Sequence, residues 1–172
     1  NHLLQPKCFV IGQLTRPLEI EPIGETGNFS VRFYHEGFLP FATAPIKEME
    51  NKAISLEQLF GTEGVKIEQL IVNAISTAER INHIENFLLS RLVSLETIDR
   101  IIKSTIDTIL TANGQLSVSE LSKQINVNRR QLERKFSSAI GLSPKQLSKT
   151  IRLQNTLNLL INKKFTSLTA LA

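Results

Sequence analysis

Cysteine is almost absent from this sequence, and tryptophan is missing altogether. Because Cys8 has no second thiol to pair with, an intrachain disulfide, a four-cysteine metal cluster and a Cys-x-x-Cys redox pair are excluded. No run approaches the roughly 18 apolar residues of a membrane span, and the start, NHLLQPKCFV, lacks the basic region and apolar core of a signal peptide. We therefore predict a protein of the reducing cytoplasm that does not enter a membrane.

Acidic residues are scarce in the last third of the chain. Residues 115–172 contain 10 Lys plus Arg but only 2 Asp plus Glu, a net charge of +8, whereas residues 1–114 contain 10 and 14, a net of −4. A basic region of this size attracts polyanions, chiefly nucleic acid or an anionic membrane surface. A basic face that only keeps the protein soluble has the same composition. The position of the charges within a motif must therefore distinguish a binding surface from such a face.

The first part of the chain has the composition of β-strands. Residues 8–13, 18–21 and 29–35 are short, rich in β-branched or aromatic residues, and separated by Pro and Gly. Three strands are too few for a sandwich or barrel, which needs about seven or eight. Since the chain also begins with Asn and has almost no lead-in before the first apolar run, we expect residues 1–63 to be the end of a larger β-rich domain.

The middle of the chain changes to helical patterns. Residues 37–63 mix Gly, Pro and apolar clusters, which predicts turns and one or two short helices. One of these helices is expected to be capped by a box of Ser55 and Gln58 and stopped by Gly61.

From Val65 to about Leu92, apolar residues recur every three or four positions, which predicts one long helix. This stripe must be buried, either against the β segment or against a second copy of the chain as a homodimer seam. A second helix is expected from about 95 or 96 to 112, with Gly114 at its C′ position. Residues 64–114 are thus a helical connector with the potential to dimerise.

Two helix starts follow closely on one another after Gln115. Ser117 and Glu120 form a Ser-x-x-Glu capping box, which opens a short helix with an apolar side. Residues 126–128, Asn-Val-Asn, interrupt that helix, and Asn128 is the N-cap of the next one. Two short helices joined by three or four residues have the layout of a helix-turn-helix.

The second of these helices is amphipathic. Leu132, Phe136 and Ile140 share one face, and Gly141 ends the helix. At about 100° per residue, the opposite side carries Arg130, Arg134 and Glu133. Arginine can donate two hydrogen bonds to guanine O6 and N7, and glutamate can accept one from cytosine N4, so these residue types suit base reading in a major groove. An ordinary solvated face is the alternative.

A third helix is predicted to begin after Gly141. Ser143 is its N-cap and Pro144 occupies its first turn. Its buried side is expected to contain Leu147, Ile151, Thr156, Leu157, Leu160 and Ile161. Lys145, Lys149 and Arg152 would meet phosphates, although a structural salt bridge is an equal alternative for Arg152.

The segment LSVSELSKQINVNRRQLERKFSSAIGLSPKQLSKTIRLQNTLNLL resembles the first helix-turn-helix of the AraC/XylS transcriptional regulators. The resemblance includes the pair Leu132 and Phe136 and the turn Gly141-x-Ser143-Pro144. A weaker resemblance links VRFYHEGFLPF through ERINHIENFLLSRL to the end of the sensor region in one branch of that family. Ser122 and Thr156 depart from the alanines that the family usually has, and both are small enough to pack.

The resemblance implies an α+β fold with residues 115–172 as a DNA-binding domain. Arg130, Glu133 and Arg134 match the family's base-reading positions, while Asn128 and Gln131 match positions that touch backbone or flanking bases. We add Arg129, Lys145 and Lys149 to the backbone contacts. Family members have a second such motif, and TSLTALA at 166–172 resembles its beginning, so we expect weak DNA binding by this chain.

Further expectations come from the family. They are double-stranded DNA as the main partner, a small-molecule effector at the N-terminal region, RNA polymerase as a protein partner, and no cofactor. The rival interpretations are a helical interaction or dimerisation module whose basic face binds an acidic protein, and a small-molecule sensor whose main activity lies in the β segment.

The sequence contains no pattern typical of an enzyme or a metal site. His2, His35 and His83 are too widely spaced for a zinc motif, and Gly24 and Gly27 lack the context of a phosphate-binding loop. The paired glutamates at 19 and 21 and at 48 and 50 have no partner nucleophile. We therefore predict neither catalysis nor a bound metal ion.

Overall fold

The computed structural model describes residues 4–17, 19–21, 23–92 and 99–162. Helices dominate this part of the chain, and two short strands near the N-terminal end form an antiparallel pair, so the fold is of the α+β class. The described residues form two compact units, one of residues up to 92 with 138–141 and the other of 99–137 with 142–162. No described helix combines the length and the apolar character needed to cross a membrane.

The sheet is smaller than the sequence predicts. Strand β1 (Phe9–Ile11) pairs with β2 (Ala53–Ser55), Phe9 lying opposite Ser55. The strand expected at 8–13 is confirmed in its centre. The strands expected at 18–21 and 29–35 are wrong, because residues 19–21 and 29–35 have no regular secondary structure and residue 18 lies outside the described residues. A β-rich composition forms a strand only where a neighbouring strand takes up its backbone hydrogen bonds.

Helix α1 (Leu56–Phe60) begins and ends as predicted. The amide of Gln58 donates to Ser55 Oγ at 3.1 Å, and the amide of Ser55 donates to Gln58 Oε1 at 3.2 Å, which completes the capping box. Gly61 ends the helix with a φ of +59°. Two 3₁₀ turns, Leu39–Phe41 and Ile46–Met49, precede it.

The long helix expected from 65 to 92 is wrong, because the chain forms α2 (Thr62–Asn73) and α3 (Thr77–Arg91) instead. Ser76 caps α3 by accepting from the amide of Glu79 at 3.1 Å. Arg80 donates to the carbonyl oxygens of Ile71 and Ala74 at 3.3 and 2.8 Å, which satisfies the end of α2. The apolar period continues across this break, so periodicity alone does not reveal it.

The core of the first unit lies between α1, α2 and the preceding turns. Its buried members are Met49, Leu56, Leu59, Phe60 and Ile67. Ile71 and Ile84 of the predicted stripe pack against this core, but Leu70, Ile75 and Ile81 are exposed. The stripe is therefore buried only in part within the unit.

Helix α4 (Arg100–Thr111) opens the second unit. Asp99 is its N-cap, with Oδ1 accepting from the amide of Ile101 at 2.8 Å. The start expected near 95 or 96 lies outside the described residues, and Asp99 has a non-helical backbone. The expectation for the C′ position is wrong by one residue. Asn113 holds it with a φ of +50°, and Gly114 follows with a φ of +72° and donates to the carbonyl of Ile109 at 2.8 Å.

The second unit also contains α5 (Val118–Gln124), α6 (Arg129–Ile140) as far as residue 137, and α7 (Pro144–Ile161). Their caps at Ser117 and Ser143 are as predicted. The most deeply buried apolar side chains of this unit come from all four helices, and they are Ile102, Ile106, Ile109, Leu121, Leu132, Phe136 and Leu147. Helix α4 packs against α5 and α7, and thereby belongs to the same core.

The predicted buried side of α7 is correct only for its first half. Leu147 and Ile151 are buried, whereas Leu157 and Ile161 are 46% and 76% exposed and Leu160 is also at the surface. Thr156 is half-buried. The contacts of α7 with Gly114 are made by Ser148 and Arg152, which lie in its first half.

Candidate functional site

The connection between α5 and α6 is four residues long and closely hydrogen-bonded. Asn126 takes a φ of +52°, and the amide of Val127 donates to the carbonyl of Ser122 at 3.0 Å, which closes the end of α5. Asn128 then accepts from the amide of Arg130 at its Oδ1, 2.9 Å away. Because its side chain caps α6, Asn128 fixes where that helix begins.

One side of α6 is fully enclosed. Leu132 and Phe136 are both 0% exposed, and Ile140 is buried as well, as their spacing predicts. Burying side chains of this size stabilises the fold by about 1.5–3 kcal/mol each. The rotation of α6 about its axis is thereby fixed, and the residues on its other side are held toward solvent.

The exposed side of α6 carries Arg130, Gln131 and Arg134. Their side chains form no hydrogen bond or ion pair with any other residue of the described ranges. Both guanidinium groups therefore keep all their donors for a partner. A guanidinium group presents donors in a planar fork that matches a guanine edge, a phosphate or a carboxylate.

The structure brings Glu133 to Arg129. Nε of Arg129 lies 3.1 Å from Oε1 of Glu133, one helical turn away, and the two side chains are 64% and 40% exposed. An exposed pair of this kind is worth about 0.3–0.5 kcal/mol. The i, i+4 spacing of these residues is visible in the sequence and could have predicted the pair.

Lys135 has a partner that the sequence does not indicate. Its Nζ lies 2.6 Å from Oδ2 of Asp99, the N-cap of α4 and 36 positions away. The hydrogen bond from Lys135 lowers the pKa of the Asp99 carboxyl, and the amide of Ile101 lowers it further. The charge of Lys135 is therefore paired within the unit, and it contributes less to the positive potential of the surface than the charge of Arg130 or Arg134.

The first turns of α7 add two more cations at the surface. Ser143 and Gln146 form a capping box, with amide-to-side-chain distances of 2.8 and 3.2 Å. Lys145 and Lys149 lie one turn apart, are exposed, and have no ion-pair partner among the described residues. Such side chains suit contacts with phosphate, which orient a protein without reading sequence.

Arg152 contacts the backbone at the end of α4. Its Nη1 donates to the carbonyl oxygen of Gly114 at 3.2 Å, and the side chain is half-buried. The salt bridge considered as an alternative is not formed with any described residue, and the phosphate contact stays a prediction. The hydrogen bond joins α7 to the turn that follows α4.

Potential metal ligands are dispersed over the described part of the chain. No group of three or more His, Cys, Asp or Glu side chains there is arranged to hold a metal ion. His83 lies 3.5 Å from Glu79 through Nε2, and burial raises the pKa of the lone thiol of Cys8.

No protein-family model, curated protein sequence or solved structure matches this chain.

Proposed function

We propose that this chain is a sequence-specific DNA-binding transcriptional regulator of the AraC type, in which α5 and α6 act as a helix-turn-helix. One observation carries the proposal. The side of α6 opposite the buried Leu132 and Phe136 presents two guanidinium groups, those of Arg130 and Arg134, that have no partner among the residues the structure describes. The residue resemblance to AraC/XylS regulators over α5, α6 and α7 supports the same function.

The proposed mechanism begins with attraction of the duplex by the basic unit. Lys145 and Lys149 contact phosphates and orient α6 in the major groove. Arg130 and Arg134 then donate to guanine edges, and Glu133 accepts from cytosine N4. Because the pair of Glu133 with Arg129 is exposed and weak, a base in the groove can replace Arg129 as the partner of that carboxylate.

Asn128, Arg129 and Gln131 are proposed to contact backbone or flanking bases. Asn128 already uses Oδ1 to cap α6, which leaves its amide nitrogen as the group available to DNA. Gln131 is exposed and has both its donor and its acceptor available to a partner.

The same proposal assigns roles to the remaining parts of the chain. Residues 1–63 belong to a sensor region that binds a small-molecule effector. Residues 64–114 connect it to the DNA-binding unit and contribute to a homodimer through the exposed part of the stripe, Leu70, Ile75 and Ile81. The regulator works in the cytoplasm and contacts RNA polymerase. Sedimentation over a range of protein concentrations tests the dimer, and monomers throughout would refute it.

The test of DNA binding is an anisotropy titration of a labelled mixed-sequence duplex at several salt concentrations. The wild-type chain is compared with an Arg130→Ala/Arg134→Ala variant. The matched control is Arg100→Ala/Lys103→Ala, which removes the same charge from exposed positions of α4. We expect weak, steeply salt-dependent binding that the α6 variant loses and the α4 variant largely keeps.

Equal losses in the two variants would contradict groove reading and indicate binding by net charge alone. No duplex binding by a folded chain at low salt would favour the rival interaction module, in which the basic face meets an acidic protein. Titration of the same variants with an acidic polypeptide then distinguishes a specific surface from general attraction.

A further inference from the structure

The two unpartnered arginines of α6 have a fixed geometric relation. Arg130 and Arg134 are four residues apart, so their Cα atoms differ by about 6 Å along the helix axis and about 40° around it. They therefore lie on the same side of α6. The burial of Leu132 and Phe136 fixes the rotation of the helix about its axis, so both arginines stay on the side that faces solvent.

This distance corresponds to a particular spacing of base pairs. Stacked base pairs in a duplex rise by about 3.4 Å each, so about 6 Å spans roughly two base-pair steps. Guanine is the base whose O6 and N7 accept both donors of one guanidinium group. Two arginines at this distance match two guanines at positions n and n+2.

The carboxylate of α6 does not neutralise either arginine. Glu133 is the single acidic residue of this helix, and its Oε1 is held by Arg129 at 3.1 Å. In that position it does not pair with Arg130 or Arg134. Both side chains are thus free to extend toward a partner.

We infer that α6 recognises an element of two G·C pairs separated by one base pair, through Arg130 and Arg134. The inference rests on the proposed DNA-binding function and names the sequence feature that this site reads. The intervening pair is contacted by neither arginine.

The experiment compares labelled duplexes that are identical except for the spacing of two G·C pairs in an A·T background. The pairs are adjacent, separated by one pair, or separated by two pairs, with the guanines on the same or on opposite strands. We expect the one-pair spacing to bind at least about fivefold more tightly than the others, the lower end of what one bidentate contact contributes. Replacing either guanine by 7-deazaguanine removes the N7 acceptor and should abolish that preference.

Single variants assign the two contacts. Arg130→Ala should lose discrimination at one of the two G·C pairs, and Arg134→Ala at the other. Lys145→Ala should weaken binding to every duplex by a similar factor, since phosphates carry no sequence. Circular dichroism melting confirms that the variants fold, as expected for exposed positions.

The outcomes separate this inference from the function on which it rests. Duplex binding that requires Arg130 and Arg134 but is equal for all spacings would overturn the inference and leave the proposed function intact. No duplex binding at low salt by the folded wild-type chain would overturn both.

Discussion

Nη1 of Arg152 lies 3.2 Å from the carbonyl oxygen of Gly114, so a cation of α7 closes the turn that ends α4, 38 positions earlier in the chain. Gly114 is suited to this place in two ways. Its φ of +72° disfavours other residues, and a Cβ atom there would lie 2.3 Å from the carbonyl oxygen of Ser148. The contact connects the end of α4 to the middle of α7, and both helices share the core with α6.

Loss of the Arg152 side chain should destabilise the second unit. We expect Arg152→Ala to lower the free energy of unfolding by about 1 kcal/mol, since a half-buried backbone carbonyl loses a charged donor. Urea denaturation measures this effect. Lys149→Ala, at an exposed position of the same helix, is the control and should change stability by less than about 0.5 kcal/mol.

A side chain at position 114 should be more damaging. Gly114→Ala forces alanine into a left-handed backbone conformation, at about 1 kcal/mol. It also overlaps the backbone of Ser148, which adds a further 1–3 kcal/mol or so of packing strain. We expect a loss of at least about 2 kcal/mol by urea denaturation. Gly27→Ala, where nothing lies within 4 Å of the added atom, is the matched control, and an equal loss there would contradict this explanation.

The ion pair of Asp99 and Lys135 predicts a dependence of stability on pH. The pKa of Asp99 is lowered in the folded chain, so its contribution is present above the ordinary aspartate pKa of about 3.9 and is lost as the pH falls below it. Because both side chains are partly exposed, we expect less than about 1 kcal/mol.

Thermal melting between about pH 3 and 6 measures this effect. Asp99→Asn is the informative variant, because asparagine still caps α4 while the charge is removed. The wild-type chain should lose more stability toward low pH than the variant does. Identical pH profiles would show that the pair contributes nothing to folding.

The exposed lysines of α7 should affect the salt dependence of DNA binding. If Lys145 and Lys149 each neutralise one phosphate, their joint replacement by alanine reduces the slope of log K against log salt by about 1.8. The relative preference among duplexes should not change, because phosphate contacts carry no sequence information. Anisotropy titration at four or more salt concentrations measures both quantities. An altered sequence preference would place these lysines at base edges instead.

Several features of the second unit could be predicted from neighbouring residues. The capping box at Ser117, the N-cap at Ser143 and the buried pair Leu132 and Phe136 are as the sequence indicates. Each depends on groups within four positions of one another, so the local helix geometry is enough to bring them together. The same local reasoning identifies which side of α6 faces solvent.

The sequence by itself therefore determined where α5, α6 and α7 begin and which side of α6 carries exposed Arg130 and Arg134. Only the tertiary structure decided that β1 pairs with β2, that Lys135 binds Asp99, and that Arg152 donates to the carbonyl oxygen of Gly114. These contacts join residues that lie far apart in the chain. No local sequence pattern indicates which partner a strand edge or a long cationic side chain contacts.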